Sequence, residues 1–415
     1  MGHEIIWFND ALAQSGGGER LSLEVVFALQ RKGIQASYVT YHYDPERTFD
    51  GRYSVVAPIV LTDSRGRGFN LSGGVAARIK RLCALRSFLR GRDSPLVITS
   101  GTWSQVVDVY LATLFMSVPY VTFIYGSLFS FGPEKEPVKY ARIFRKSFEK
   151  IRCSQDSYRQ TVPEKAPQKG FFWRLRIEAR GVVKFFAVRN SRKVFVLSSR
   201  NQWECKLLYD INAAVIQGAY PEGLLAYKPA EGVRQEVKSR YGFLFLSISR
   251  LVKNKRIDLL ISAFAKMQYT DKRCALVIGG TGPDEEALKR LAVAAGVGDR
   301  VYFIGYVPEE NLFDWLGCAD VFVHMDLADF DIAPLEALAL GATVIVADEM
   351  DVTFPRGGHP RFLKVAGNVS SLASALDRVA ICGDKLAQPS MWDDGLRDLT
   401  WERFSEKMIR EIGGF

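Results

Sequence analysis

Phe243-Leu-Phe-Leu-Ser-Ile-Ser-Arg-Leu-Val-Lys-Asn-Lys-Arg-Ile-Asp258 is the stretch on which the fold turns. Phe243–Ser249 is nearly all apolar, the pattern of a parallel strand covered on both faces. A cluster of cations follows from Arg250, and a helix is expected over Asp258–Met267. Strand, polar turn and helix make one βα unit. The unit recurs downstream, with strands expected at Ala275–Gly279, Val301–Ile304, Val321–His324 and Thr343–Ala347. Helices are expected between them at Asp284–Ala295, Glu309–Leu316 and Pro334–Leu340. Such repetition predicts a doubly wound parallel sheet with its ligands at the carboxyl ends of the strands.

The same logic runs upstream. Strands are expected at Ile5–Asn9, Ala36–Tyr41, Ser54–Val60, Leu96–Ser100, Tyr120–Tyr125 and Lys193–Leu197, with helices such as Arg20–Lys32 and Val75–Arg90 between them. Gln217-Gly-Ala-Tyr-Pro-Glu-Gly223 breaks the pattern, and a charged run continues to about Tyr241. The expected division is therefore a Rossmann-like domain at 1–225, a second at 226–395, and a terminal segment at 396–415. A chain of 415 residues is long for one core, and two domains of roughly 200 residues each are the default. Two α/β domains in one chain are expected to face each other across a cleft.

Composition narrows the function classes. The six cysteines are scattered, with no C-x-x-C pair and only four histidines in the chain. That argues against a structural zinc site and suits a reducing compartment. No basic, apolar leader opens the sequence, and no apolar run reaches the roughly 18–20 residues of a membrane span. A cytoplasmic location is the expectation, and the sequons at Asn70 and Asn368 then carry no meaning. The net charge of +9 is uneven. Between Phe131 and Lys193 there are 17 Lys/Arg against 6 Asp/Glu, a local net of +11 that leaves the remainder near −2. One segment thus carries the basic character and points to a local negative partner.

Four constellations could carry chemistry. Ser15-Gly-Gly-Gly-Glu-Arg20 follows the first strand and leads into a helix, so Gly16, Gly17 and Gly18 would let backbone approach an anion closely. Arg250 closes a strand and Lys255 stands five residues on; two cations there can neutralise a diphosphate as it leaves. Ile278-Gly-Gly-Thr-Gly-Pro283 reads as scaffold, since tight βα turns need glycine regardless, with Gly280 lining the donor site. Asp329-Phe-Asp-Ile-Ala-Pro-Leu-Glu336 runs into a helix with Pro334 in its first turn. The backbone at Ile332, Ala333 and Leu335 would hold phosphate, and Glu336 would accept from ribose hydroxyls. Asp329 and Asp331 form an Asp-x-Asp pair, but the adjacent helix start already serves phosphate, so no metal is expected.

In this order and spacing the pieces resemble the retaining GT-B glycosyltransferases, specifically glycosyltransferase family 4. The resemblance rests on Ser249-Arg-Leu-Val with Lys255, the loop Gly279–Pro283, Val301-Tyr-Phe-Ile-Gly305, Ala333-Pro-Leu-Glu-Ala-Leu-Ala-Leu-Gly341, and Gly17-Gly-Glu-Arg20. It is thin over 45–95 and 130–190. It implies a GT-B fold of two Rossmann-like domains, Arg250 and Lys255 on the donor diphosphate, Glu336 on the ribose and backbone near Tyr306 on the base. It also implies a last helix, around Trp401–Ile412, that returns to the first domain. The reaction implied is transfer of a hexose from a GDP- or UDP-sugar, with retention and without metal or other cofactor.

Two departures qualify it. The family's carboxylate eight residues before Glu336 is here Ala328, and Asp331 replaces the glycine that follows in its pattern. Asp329 or Asp331 would have to take the missing carboxylate's part. The histidine the family carries after its fifth strand is here Tyr125, which can donate a hydrogen bond but makes a poor base. A non-catalytic nucleotide-sugar-binding subunit is therefore the rival reading. A nucleotide-sugar epimerase is a second, for which no acid/base carboxylate and histidine set is visible.

The basic segment 131–193 mixes arginines with aromatics, as in Lys169-Gly-Phe-Phe-Trp-Arg-Leu-Arg176 and Val182-Val-Lys-Phe-Phe186. That suits an anionic membrane face and a lipid-linked glycan acceptor, with the protein peripheral to the membrane. A helix with one solvated basic side and one buried aromatic side is the other reading. No nucleic-acid-binding module is present.

Overall fold

The computed structural model describes residues 4–13, 16–45, 48, 56–62, 74–100, 105–125, 137–154, 169–268, 273–326, 330–354, 358–382 and 393–413. The chain divides into two compact units, 1–218 with 401–415 and 219–400. Tyr220 lies on the far side of that division because it pairs with the end of its own unit: its hydroxyl donates to the Leu396 carbonyl (2.6 Å) and its N–H to Leu399 (3.1 Å).

The first unit is a seven-stranded parallel sheet. Its strands are β1 (Glu4–Leu12), β2 (Ala36–Tyr43), β3 (Ile59–Val60), β4 (Pro95–Ser100), β5 (Tyr120–Ile124), β6 (Lys193–Val196) and β7 (Ala214–Val215), in the order β3-β2-β1-β4-β5-β6-β7. The helices are α1 (Gly17–Arg31), α2 (Val75–Arg90), α3 (Gln105–Thr113), α4 (Arg142–Ser154), α5 (Phe171–Arg189) and α6 (Ser199–Tyr209). The central strands are apolar on both faces because helices cover both. Ile5, Ile6, Trp7 and Phe8 of β1 are all fully buried. Chain order reverses between β1 and β4, which pair in register from Glu4↔Pro95 to Phe8↔Thr99. The expected strand Ser54–Val60 survives as only two described residues, and β7 was not anticipated. Both are edge strands too short to show a period.

The second unit repeats the topology in six strands: β8 (Phe243–Ile248), β9 (Cys274–Gly279), β10 (Val301–Gly305), β11 (Val321–His324), β12 (Thr343–Ala347) and β13 (Phe362–Val365), ordered β10-β9-β8-β11-β12-β13. Its helices are α7 (Glu231–Tyr241), α8 (Ile257–Ala265), α9 (Glu285–Ala294), α10 (Glu309–Cys318), α11 (Ala333–Ala339), α12 (Val369–Cys382) and α13 (Asp393–Arg397). Here the reversal falls between β8 and β11, which pair at Val321↔Phe245 and Phe322↔Leu246. The loops that leave those two strands are thereby made neighbours.

The last helix, α14 (Trp401–Ile412), packs against α1 of the first unit. Trp401, Phe404, Met408 and Ile412 recur at helical spacing and are buried. The Phe404 ring lies 5.8 Å from that of Phe123, and Arg31 and Lys32 pair with Glu402 and Glu406 at 2.8 and 2.6 Å.

Candidate functional site

In the second unit, the loop after β8 and the loop after β11 meet at the switch point. The Lys255 ammonium lies between two carboxylates. It is in contact with Asp326 Oδ2 and 3.0 Å from Asp331 Oδ2. Asn254 Nδ2 donates to Asp326 Oδ1 (3.0 Å), and His324 Nε2 shares a hydrogen bond with Asp331 Oδ2 (2.7 Å). Burial alone would lower the Lys255 pKa, but the two carboxylates outweigh it and the net shift is upward. Burial also pushes Asp331 up, yet Lys255 and His324 together hold it well below the ordinary carboxylate range. Asp326, with 3% of its side chain exposed against 27% for Asp331, is raised by burial despite the pull of Lys255. The result is one cation held between two carboxylates, one lowered from the ordinary range and one raised.

The donor atoms of His324, Asp326 and Asp331 lie within 4.8 Å of one another, close enough in principle for a metal. The Lys255 ammonium supplies the positive charge at that place instead.

Arg250 contrasts with Lys255. It stands just beyond the end of β8, exposed, and its guanidinium makes no hydrogen bond or ion pair among the described residues. Of the two cations expected on a diphosphate, Arg250 is free and Lys255 is compensated. Asp331, offered by the sequence as a substitute for the missing carboxylate, is committed to Lys255 and His324. The side chains bridge chain positions some seventy apart, a pairing no local pattern reveals. Asp329 and Ala328 lie outside the described residues.

Gly280 serves the scaffold, as its place in a tight βα turn implies. Its N–H donates to the Gly305 carbonyl (2.6 Å), and a Cβ on it would lie 1.9 Å from the Ser249 carbonyl oxygen. With φ at +117°, this glycine exists to let three strand ends close on one another; its N–H is not offered to a ligand. Gly282 does the same against the Leu251 carbonyl, where a Cβ would come within 2.2 Å. Tyr306, just past β10, is 67% exposed. Glu336 sits in the middle of α11 with its side chain fully buried, and Ile332, Ala333 and Leu335 form the start of that seven-residue helix.

In the first unit the structure brings Tyr125 onto the glycine loop. A Cβ on Gly18 would lie 2.6 Å from the Tyr125 ring, whereas one on Gly17 would meet nothing within 4 Å. Gly16 caps α1 in extended conformation, and its carbonyl accepts from Arg20 N (2.9 Å). Burial, with the charge of Glu19 nearby, pushes the Tyr125 phenol well above its ordinary value. It therefore stays protonated and can donate a hydrogen bond but cannot act as a base.

Beneath the loop lies a polar cluster that the sequence did not flag. Asn9 Nδ2 donates to the Tyr38 hydroxyl (2.6 Å) and to Ser22 Oγ (3.3 Å). Asp10 Oδ1 accepts from Gln105 Nε2 (2.7 Å), and burial raises its pKa. The one available signal was polar residues appearing at the carboxyl end of an apolar strand, as at Asn9-Asp10 and at His324-Met-Asp326.

Residues 233–388 match the family model described as Glycosyl transferases group 1. Mannosylfructose-phosphate synthase of Agrobacterium fabrum is 33% identical over 129 residues, 28% of this chain and 28% of that protein. A GDP-mannose-dependent alpha-(1-6)-phosphatidylinositol monomannoside mannosyltransferase of Mycolicibacterium smegmatis is 31% identical over 178 residues, 39% of this chain and 44% of that one. This chain thus matches less than half the length of either relative. Among solved structures, sucrose-phosphate synthase of Thermosynechococcus elongatus superposes with a TM-score of 0.70 at 18% identity, covering 99% of this chain and 98% of that one. Anabaena HepE, solved with UDP and glucose, superposes with a TM-score of 0.67 at 15% identity, covering 99% of both chains. Residues 233–388, which carry Arg250, Lys255 and Glu336, are thus similar to the glycosyl transferases group 1 family, on a chain with the GT-B fold.

Proposed function

We propose that the protein is a retaining glycosyltransferase that moves a hexose from a GDP- or UDP-sugar to a glycan or lipid-linked acceptor without a metal. The observation that carries this reading is the guanidinium of Arg250, without a partner among the described residues, at the carboxyl end of β8, within the matched stretch and five residues before Lys255. A diphosphate leaving group builds negative charge as the glycosidic bond breaks, and a preorganised arginine offsets that charge. Lys255 serves as a second, shared cation: a phosphate oxygen competes with Asp326 and Asp331 for its ammonium. In this reading the acceptor hydroxyl attacks on the face the nucleotide leaves, the bond to the phosphate oxygen breaks, and the hydroxyl proton passes to that oxygen. Tyr125, held protonated, contributes a hydrogen bond to the sugar and not base catalysis.

The ammonium between Asp326 and Asp331 supports metal independence, since a divalent ion would have to displace it. The relatives' names support both donors: one uses GDP-mannose, and HepE was solved with UDP and glucose. The test is a thermal-shift panel of GDP- and UDP-sugars on wild type and Arg250→Ala, followed by turnover with candidate acceptors in EDTA. One donor should raise the wild-type melting point, and Arg250→Ala should weaken that donor about a hundredfold without altering the apo melting point. Product carrying the donor's anomeric configuration by NMR supports retention. Donor binding without turnover in the presence of the true acceptor would replace the transferase reading with a donor-binding subunit.

A further inference from the structure

The α5 helix is apolar on two opposite faces. Ile177, Gly181, Lys184 and Val188 share the face turned into the core. On the other side Phe171, Leu175, Val182 and Phe186 fall at spacings of four, seven and four, with Phe172 beside them, and these five are between 41% and 84% exposed. A globular helix leaves its outer face polar; five large apolar side chains in one stripe mark a surface that something covers.

The border of the stripe is cationic. Lys169, Arg174 and Arg176 are exposed and make no ion pair among the described residues. The neighbouring helix α4 adds to the same border. A Cβ on Gly181 would lie 2.5 Å from Ala141 Cβ, so the start of α4 abuts α5 closely there. Arg142 N donates to Glu178 Oε2 (2.9 Å), which sits between Leu175 and Val182 on the helix surface. Arg142 and Ile143 are thereby placed along the stripe's edge, and both are exposed. The segment 131–193 that holds both helices carries a net +11. Among the described residues no helix is long and apolar enough to cross a membrane.

We infer that α5 and the start of α4 form a docking face for an anionic lipid surface, with the phenylalanine stripe entering the headgroup boundary and the arginines meeting lipid phosphates. The match of an apolar stripe to a basic border favours this occupant over an acidic protein, which would satisfy the charge but leave the phenylalanines wet. The inference stands apart from the transferase reading, because it is read by binding and not by turnover.

The experiment is co-sedimentation of the full chain with vesicles of phosphatidylcholine alone and of an equal mixture with phosphatidylglycerol. The protein should bind the mixed vesicles and not the neutral ones, and high salt should release it. Phe171→Ser/Phe172→Ser/Leu175→Gln should lower binding about tenfold or more, with the melting point unchanged because the side chains are solvent-exposed. Arg174→Glu/Arg176→Glu should do the same through charge alone, which keeps the test decisive if the first variant folds poorly. Equal binding to neutral vesicles, absence of binding, or indifference to both variants would overturn the inference. So would a concentration-dependent dimer in ultracentrifugation that the apolar variant abolishes, since the stripe would then belong to a second copy.

Discussion

Replacing Lys255 by methionine keeps the stem and removes the ammonium. The side chain is 13% exposed, Asp326 3% and Asp331 27%, so the two carboxylates would be left facing each other with Asp326 cut off from water. Breaking a buried ion pair from one side costs about 3–5 kcal/mol. Asn254 still donates to Asp326 and His324 still bonds Asp331, which places the expected loss at the lower end, about 3 kcal/mol. For a unit of this size that is a fall of roughly 6–12 °C in melting temperature. The pH dependence gives the sharper test. In the wild type Asp331 titrates below its unfolded value, so its contribution is present at neutral pH and fades as pH falls through the depressed folded value. In Lys255→Met, burial and mutual repulsion raise both carboxylates. The folded state then binds a proton that the unfolded chain has released, and stability drops as pH rises. The deficit of the variant should therefore narrow on going from pH 7 to about pH 5. Differential scanning calorimetry of wild type and variant at both values decides it. A variant within about 2 °C of wild type at pH 7, or one whose deficit widens on acidification, would show that the ammonium is not balancing two buried carboxylates.

The glycines of the first loop should behave oppositely. Gly18→Ala drives a methyl into the Tyr125 ring and should cost about 1–3 kcal/mol, whereas Gly17→Ala meets open space at a helix start and should be neutral or stabilise by up to about 1 kcal/mol; chemical denaturation separates them. Gly280→Ala combines a left-handed φ with a clash against the Ser249 carbonyl and should destabilise the second unit by more than about 3 kcal/mol, read by the same titration. Tyr125→Phe should lower turnover by about tenfold at most and leave the pH–rate profile unchanged, because a phenol that stays protonated has no limb to lose.

Much of the architecture was readable because parallel strands buried on both faces announce themselves as apolar runs. The runs at Phe243, Ala275 and Val321 each became strands within a residue or two of the expected ends. The losses were at sheet edges. β3 and β7 are two residues each, and β13, Phe362–Val365, carries an exposed lysine that breaks its apolar run. In the site, single residues were legible and their partners were not. Lys255 was visible as a cation near a helix start, but that Asp326 and Asp331 would claim it follows from β8 and β11 being neighbours, a fact of topology. Gly280 was visible as a turn residue, but only the fold shows its N–H spent on Gly305.

The return of α14 to α1 has a consequence for how the molecule is made. Trp401, Phe404 and Met408 fill the first unit's interior, yet the ribosome reaches them only after translating all of Ala219–Thr400. At about 5–20 residues per second, that leaves the early-made half without its closing piece for on the order of ten to forty seconds. During that interval the bare side of α1 and the ring of Phe123 await a helix that does not yet exist, and a chaperone that shelters apolar surface would find its client there.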